Sequence, residues 1–308
     1  RDTPESYQFN LNIQTEIRPG LLLEIGYLAN LSRHLTANDL SINQVRPELL
    51  SAGNAQARRP FPQFNNVTMV NPAIGSSNYH AGFVKVERRF ARGLSILAHY
   101  TYSAFLDDVE SFTEIGSTGS YMDYYNRRLD RGRSGSDIPH RAVFSGVYDL
   151  PFFRRPGWAH NVFGGWRTGV LASVEAGAPF TVFSSVNNTN AFPAGGLRAD
   201  VVGDPSTGTP SINRWFNTDA FRAPAFFQFG NAGRSILRGP GVVNFDTNLM
   251  KNFALTERFK LELRGELYNA MNHANFGLPA ASVGVPAFGT IRSARAARAI
   301  QFAARITF

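Results

Sequence analysis

Residues 6–17 separate by parity. Tyr7, Phe9, Leu11, Ile13, Thr15 and Ile17 fall on one side, and Gln8, Asn10, Asn12, Gln14 and Glu16 fall on the other. A period of two is the signature of a half-buried strand. Arg18-Pro19-Gly20 reads as a tight turn. The alternation then resumes with Leu21, Leu23, Ile25, Tyr27 and Ala29 opposite Glu24, Gly26 and Asn30. The cycle recurs at 82–90, 94–103, 141–150, 166–175, 243–249, 259–267 and 300–308, giving about nine strands by the same period-two test. Short turns are expected at 18–20, 91–93, 151–165 and 252–258. Long polar segments are expected at about 31–77, 104–139, 177–241 and 268–297.

Two features narrow the fold. Within the strands nearly every charge shares a face: Glu16, Glu24, Lys85, Glu87, Asp149, Glu175, Asp246, Glu262, Arg264 and Arg305 lie opposite the apolar set, with Arg88 as the exception. An Arg or Lys on a lipid-facing strand position near the bilayer midplane costs about 2–4 kcal/mol, so a membrane sheet must segregate its charges. A soluble sandwich also segregates its faces. The second feature is the strict alternation of short and very long connections. Membrane barrels have short periplasmic turns and long extracellular loops, whereas loops beyond roughly 12–15 residues are uncommon in compact soluble domains. The expected fold is therefore all-β: an antiparallel transmembrane β-barrel segment in the bacterial outer membrane. Its lipid face would carry Tyr7, Phe9, Leu11, Ile13, Leu23, Ile25, Tyr27, Val84, Val86, Leu94, Ile96, Phe144, Val170, Phe245, Leu249, Leu261, Leu263, Phe302 and Ile306. Asn10 and Asn12 would join the charges on the inner face.

Composition agrees. No stretch approaches the roughly 18 apolar residues of a membrane helix, yet aromatic residues reach 13%, with 26 phenylalanines. The net charge of +8 raises nucleic-acid binding, but the arginines are scattered over strands and loops and do not line one face, so no nucleic-acid partner is expected. The absence of cysteine removes disulfides and thiolate metal sites.

The closing run Gln301-Phe302-Ala303-Ala304-Arg305-Ile306-Thr307-Phe308 resembles the C-terminal signal of outer-membrane barrels. That resemblance implies that Phe302, Ile306 and Phe308 are read by the barrel-assembly machinery. Further pieces are spread along the chain: Val84-Lys85-Val86-Glu87-Arg88-Arg89-Phe90, Asp137-Ile138-Pro139-His140-Arg141, Gly177-Ala178-Pro179-Phe180-Thr181, Trp215-Phe216-Asn217, Arg238-Gly239-Pro240-Gly241 and Arg264-Gly265-Glu266. In order and spacing they resemble the barrel of Oar-like TonB-dependent receptors, which carry a carboxypeptidase-regulatory-like domain. The resemblance implies that residues 1–308 are the C-terminal portion of such a barrel, with the plug and earlier strands lying upstream. It also implies that TonB acts through that missing part and that the loops contact an unidentified transported ligand. A non-transporting structural or adhesive surface barrel is the alternative.

Candidate chemistry is sparse. No phosphate loop, dinucleotide fingerprint, zinc helix motif or nucleophile elbow occurs. The six histidines are far apart, and no cofactor or metal is expected. Asp107, Asp108 and Glu110 precede Asp137 and His140, an arrangement that raises an outer-membrane hydrolase as a lesser reading; a solvated loop end is the simpler one, and the chain is not expected to be an enzyme. Arg127, Arg128, Arg131 and Arg133 form the densest basic stretch and are candidates for lipopolysaccharide phosphate contacts. Trp215 and Phe216 are candidate ligand contacts, although packing of the long loop onto the barrel rim accounts for them more simply.

Overall fold

A computed structural model describes residues 2–37, 40–109, 121–153, 155, 157–193 and 195–308. Nine long strands follow one another across a single antiparallel sheet: β1 (Glu5–Arg18), β2 (Leu21–Thr36), β3 (Ala73–Ala91), β4 (Leu94–Asp107), β5 (His140–Asp149), β6 (Trp166–Glu175), β7 (Val242–Ala254), β8 (Lys260–Tyr268) and β9 (Ala299–Thr307). Every long strand pairs with its sequence neighbour. The two-residue strand Gly132–Arg133 adds to the end of β4. Among the described residues β1 and β9 each pair along one edge only, and both are exposed along their whole lengths.

Local chemistry sets the tight turns. Arg92 and Gly93 both have positive φ, 53° and 82°, between paired Ala91 and Leu94. Two positive-φ residues in a two-residue loop match the right-handed twist of the flanking strands. At the first turn Gly20 takes φ 77° after Pro19, as a turn with Pro followed by Gly requires.

The register keeps the two faces apart over the whole sheet. One row runs Ile13–Ile25–Val84–Tyr100–Ala142–Val174–Val243. Displaced by one residue, the opposite face runs Gln14–Glu24–Lys85–His99–Val143–Ser173–Asn244. All residues expected on the lipid side share the apolar face, and all those expected inside share the polar face. A one-residue slip in any strand would have reversed its set.

Several boundaries differ from the sequence reading. β2, β3 and β4 run to Thr36, from Ala73 and to Asp107, so the loops they bound are shorter than expected. β7 reaches Ala254, which places Lys251 on the apolar face with Arg88; the pairing of β1 with β2 adds Glu5 opposite Arg33, and Arg18 opposite Leu21. The expected turn at 151–165 contains a short helix, α1 (Trp158–Phe163).

Candidate functional site

The polar face is lined by short ion pairs. Lys85 Nζ lies 3.7 Å from Glu24 and 3.2 Å from Glu87. Arg141 meets Glu175 at 3.0 Å, Arg167 meets Asp149 at 2.5 Å, and Arg264 bridges Glu262 and Glu266 at 2.6 and 3.3 Å. These groups are part-exposed, so each pair adds little stability; what they require is water. The same face holds a 340 Å³ groove lined by residues including Ser95, Ser145, Gly169, Asp246, Asn248 and Glu266.

At the long-loop end the connections fold into a cap with its own core. Phe180, Val182, Ala199, Phe216, Ala220 and Phe221 are buried together. Three arginine–aspartate pairs link the 177–241 loop to the end of β4 and the β4–β5 connection: Arg198 with Asp130 at 2.8 Å, Arg234 with Asp107, and Arg238 with Asp137. Each arginine also donates to backbone carbonyls, Arg198 to Leu129, Arg234 to Asp107 and Arg133, Arg238 to Asp137 and Gly177. Burial pulls the Arg234 guanidinium down to about 10, still well above neutrality, so it stays charged. Burial, with Asp108 nearby, pushes the Tyr121 hydroxyl up. Removing one partner of such a buried pair costs about 3–5 kcal/mol, because the other charge is stranded.

These contacts account for the acidic residues considered for hydrolysis. Asp107 and Asp137 each hold an arginine, and Asp137 also accepts from the Phe105 amide at 2.7 Å. Asp108 accepts from the Ser76 amide and hydroxyl at 2.6 and 2.8 Å. His140 leaves the sheet on the apolar face opposite Tyr102, with its Nδ1 2.8 Å from the Tyr100 hydroxyl. Asp107 leaves β4 on the polar face, so no acid–imidazole pair forms among these residues. Glu110 lies outside the described residues. Among the described residues no group of three or more His, Asp or Glu side chains is placed to hold a metal ion.

Residues 1–301 match the family model of the outer membrane beta barrel domain. The chain belongs to this family. No curated protein sequence matches it. Among solved structures it is similar to FpvA of P. aeruginosa, in a complex with a heterologous pyoverdine (10% identity, TM-score 0.44, covering 99% of this chain and 27% of that one). It is also similar to the outer membrane transporter YddB from Escherichia coli (10%, 0.49, 99% and 32%) and the copper transporter OprC (11%, 0.44, 99% and 31%). The chain thus spans less than a third of each of these structures.

In an outer-membrane barrel domain the apolar face meets lipid and the polar face lines the interior. Phe302 and Ile306 stand on the lipid face of β9, and Phe308 packs its ring 6.2 Å from that of Phe259. Arg127 and Arg128 are exposed on a single helical turn (Arg127–Asp130), Arg133 is exposed beside them, and Arg131 donates to the Ser76 hydroxyl at 3.0 Å. Trp215 is half-buried, its indole N–H donating to the Arg238 carbonyl at 2.8 Å. Phe216 is buried against Phe180, Phe221 and Phe288. The structure does not gather these candidates at one point. The basic residues cluster on one loop, the two aromatics belong to another, and the terminal strand lies on the wall. Arg198, Arg234, Arg238 and Lys251 escaped the sequence reading, because nothing local in the sequence marks their partners.

Proposed function

We propose that this domain is the C-terminal portion of an Oar-like TonB-dependent receptor, supplying barrel wall and ligand-contacting extracellular loops. The edges of β1 and β9 that are unpaired among the described residues support the reading. Hydrocarbon offers no hydrogen bonds, so a sheet with two open edges is untenable in a bilayer. On this reading further strands would complete the wall, and the 22-stranded plugged transporters are the size class that the family resemblance implies. The folded cap supports the same reading, since it offers a shaped outer surface, with Arg127, Arg128, Arg131, Arg133, Trp215 and Phe216 as candidate contacts to ligand or lipopolysaccharide. The energy for uptake would come from TonB through the upstream plug, and the interior wall would take no covalent part.

The test uses the full-length protein purified from outer membranes. It is expected to bind the C-terminal domain of TonB in a calorimetric titration and to show no steady conductance in planar bilayers. Absent binding together with a permanently open channel would leave the non-transporting barrel as the better account.

A further inference from the structure

We propose that α1 (Trp158–Phe163), with the preceding Phe152 and Phe153, is a membrane-surface anchor. It would rest in the phospholipid headgroup region at the short-turn end of the wall, docked there by Lys251. This inference rests on the lipid-facing side of the sheet and not on the transport reading, so a failed TonB titration leaves it untouched.

Lys251 poses the problem. It leaves β7 on the lipid face, between Trp166 and Leu263, where an exposed ammonium is costly. Yet it is only 4% exposed. Its Nζ donates to the carbonyls of His160 at 3.2 Å and Asn161 at 2.6 Å and sits 4.8 Å from the Phe253 ring centroid and 5.7 Å from that of Trp166. The Trp166 indole N–H donates to the Val162 carbonyl at 3.1 Å. The last carbonyls of a helix have no partner within it; here those of Asn161 and Val162 are taken up by Lys251 and Trp166 on the sheet's outer side, while the His160 carbonyl accepts from the Gly164 amide as well as from Lys251. α1 is therefore fixed against the lipid face by its C-terminal end.

The large apolar side chains of the segment are exposed. Trp158 is 76% exposed, and Phe152, Phe153, Val162 and Phe163 are each at least half exposed. Phe163 packs against Phe153 at 5.5 Å and Trp158 at 6.4 Å, so the rings form one raised cluster. Such a patch marks a partner. Because the cluster flanks a surface already in lipid, the occupant is the same membrane. Aromatic rings with a polar edge suit its headgroup boundary, and exposed Arg155 complements anionic phospholipid headgroups.

The experiment reconstitutes the full-length protein in vesicles whose phospholipids carry bromine either near the headgroup end or near the terminus of the acyl chain. The emission of Trp158 is the difference between wild type and Trp158→Phe, each shown to be folded by heat-modifiable gel mobility. That emission should be lost more strongly to bromine near the headgroup than near the chain terminus, and iodide in the water should leave most of it. Loss to iodide with no loss to either brominated lipid overturns the proposal, as does stronger loss to the deep bromines. In detergent, without a bilayer, Lys251→Met should increase chymotryptic cleavage within α1; unchanged cleavage refutes the docking role of Lys251.

Discussion

Phe144→Arg is the substitution that interrogates the wall most directly. Phe144 is the fifth residue of the ten-residue strand β5, so it sits at mid-depth. On the lipid face its cross-strand partners are Ala98 and Ala172. The diagonal neighbours Ile96, Tyr100, Val170 and Val174 offer no carboxylate. A guanidinium there meets only hydrocarbon, and the full penalty of about 2–4 kcal/mol applies. That is roughly a 30- to 700-fold fall in the folding equilibrium constant. Ser145→Arg, one residue on, enters the water-filled side between Leu97 and Leu171, in the groove that also holds Asp246 and Glu266. Its effect should stay within about 1 kcal/mol. Denaturant titration of the full-length protein in phospholipid vesicles, followed by tryptophan emission, measures both. Equal losses, or a larger loss at Ser145, would show that the face assignment is wrong.

Three further outcomes follow from the same geometry. Asp130→Ala strands buried Arg198 and should destabilise the cap by about 3–5 kcal/mol, seen as faster proteolysis within 177–241 with heat-modifiable mobility of the barrel retained; the double change Asp130→Leu with Arg198→Met should recover most of the resistance, and an unaltered digestion pattern in the single variant would contradict the staple. A cysteine at position 210 in the cap should react with an impermeant thiol reagent on whole cells while one at 92 stays unlabelled, and the reverse pattern would invert the sidedness. Phe308→Ala should lower the amount of folded protein reaching the outer membrane, read from heat-modifiable protein in membrane fractions, and normal levels would remove Phe308 from the assembly signal.

The wall was legible in the sequence because its rule is binary. Each position faces lipid or water, and two-residue alternation records the choice, as in Tyr7 to Ile17. Legibility ended where that rule stopped applying. Beyond about Asn30 in β2, before Gly82 in β3 and beyond Ser103 in β4 the strands continue towards the cap, and residues such as Ser32, Ser77 and Asn78 no longer alternate with apolar ones, so strand read as loop. Lys251 was lost at the other end, where an Asn252–Arg258 turn was expected and β7 in fact continues to Ala254. The cap was opaque for a different reason. Arg198 and Asp130 are 68 positions apart, Arg238 and Asp137 are 101 apart, and Arg234 and Asp107 are 127 apart. No local spacing reports such pairs.

The two charge populations therefore perform different physical tasks. On the wall, Lys85 with Glu24 and Glu87, or Arg264 with Glu262 and Glu266, keep contact with water, and swapping one such pair for another changes little energy. Their sign pattern is free to vary so long as the polar face stays wet. In the cap, Arg198 and Asp130 are 3% and 9% exposed, and Arg234 and Asp107 are similarly enclosed. There a lone charge is far costlier than a missing pair, so each arginine accepts one loop arrangement and penalises others. A cap held this way has one favoured arrangement of its loops, which would lower the ordering cost of capturing a ligand there if the proposed function holds. The barrel wall sets where the protein lies, and the buried pairs set the shape of its cap.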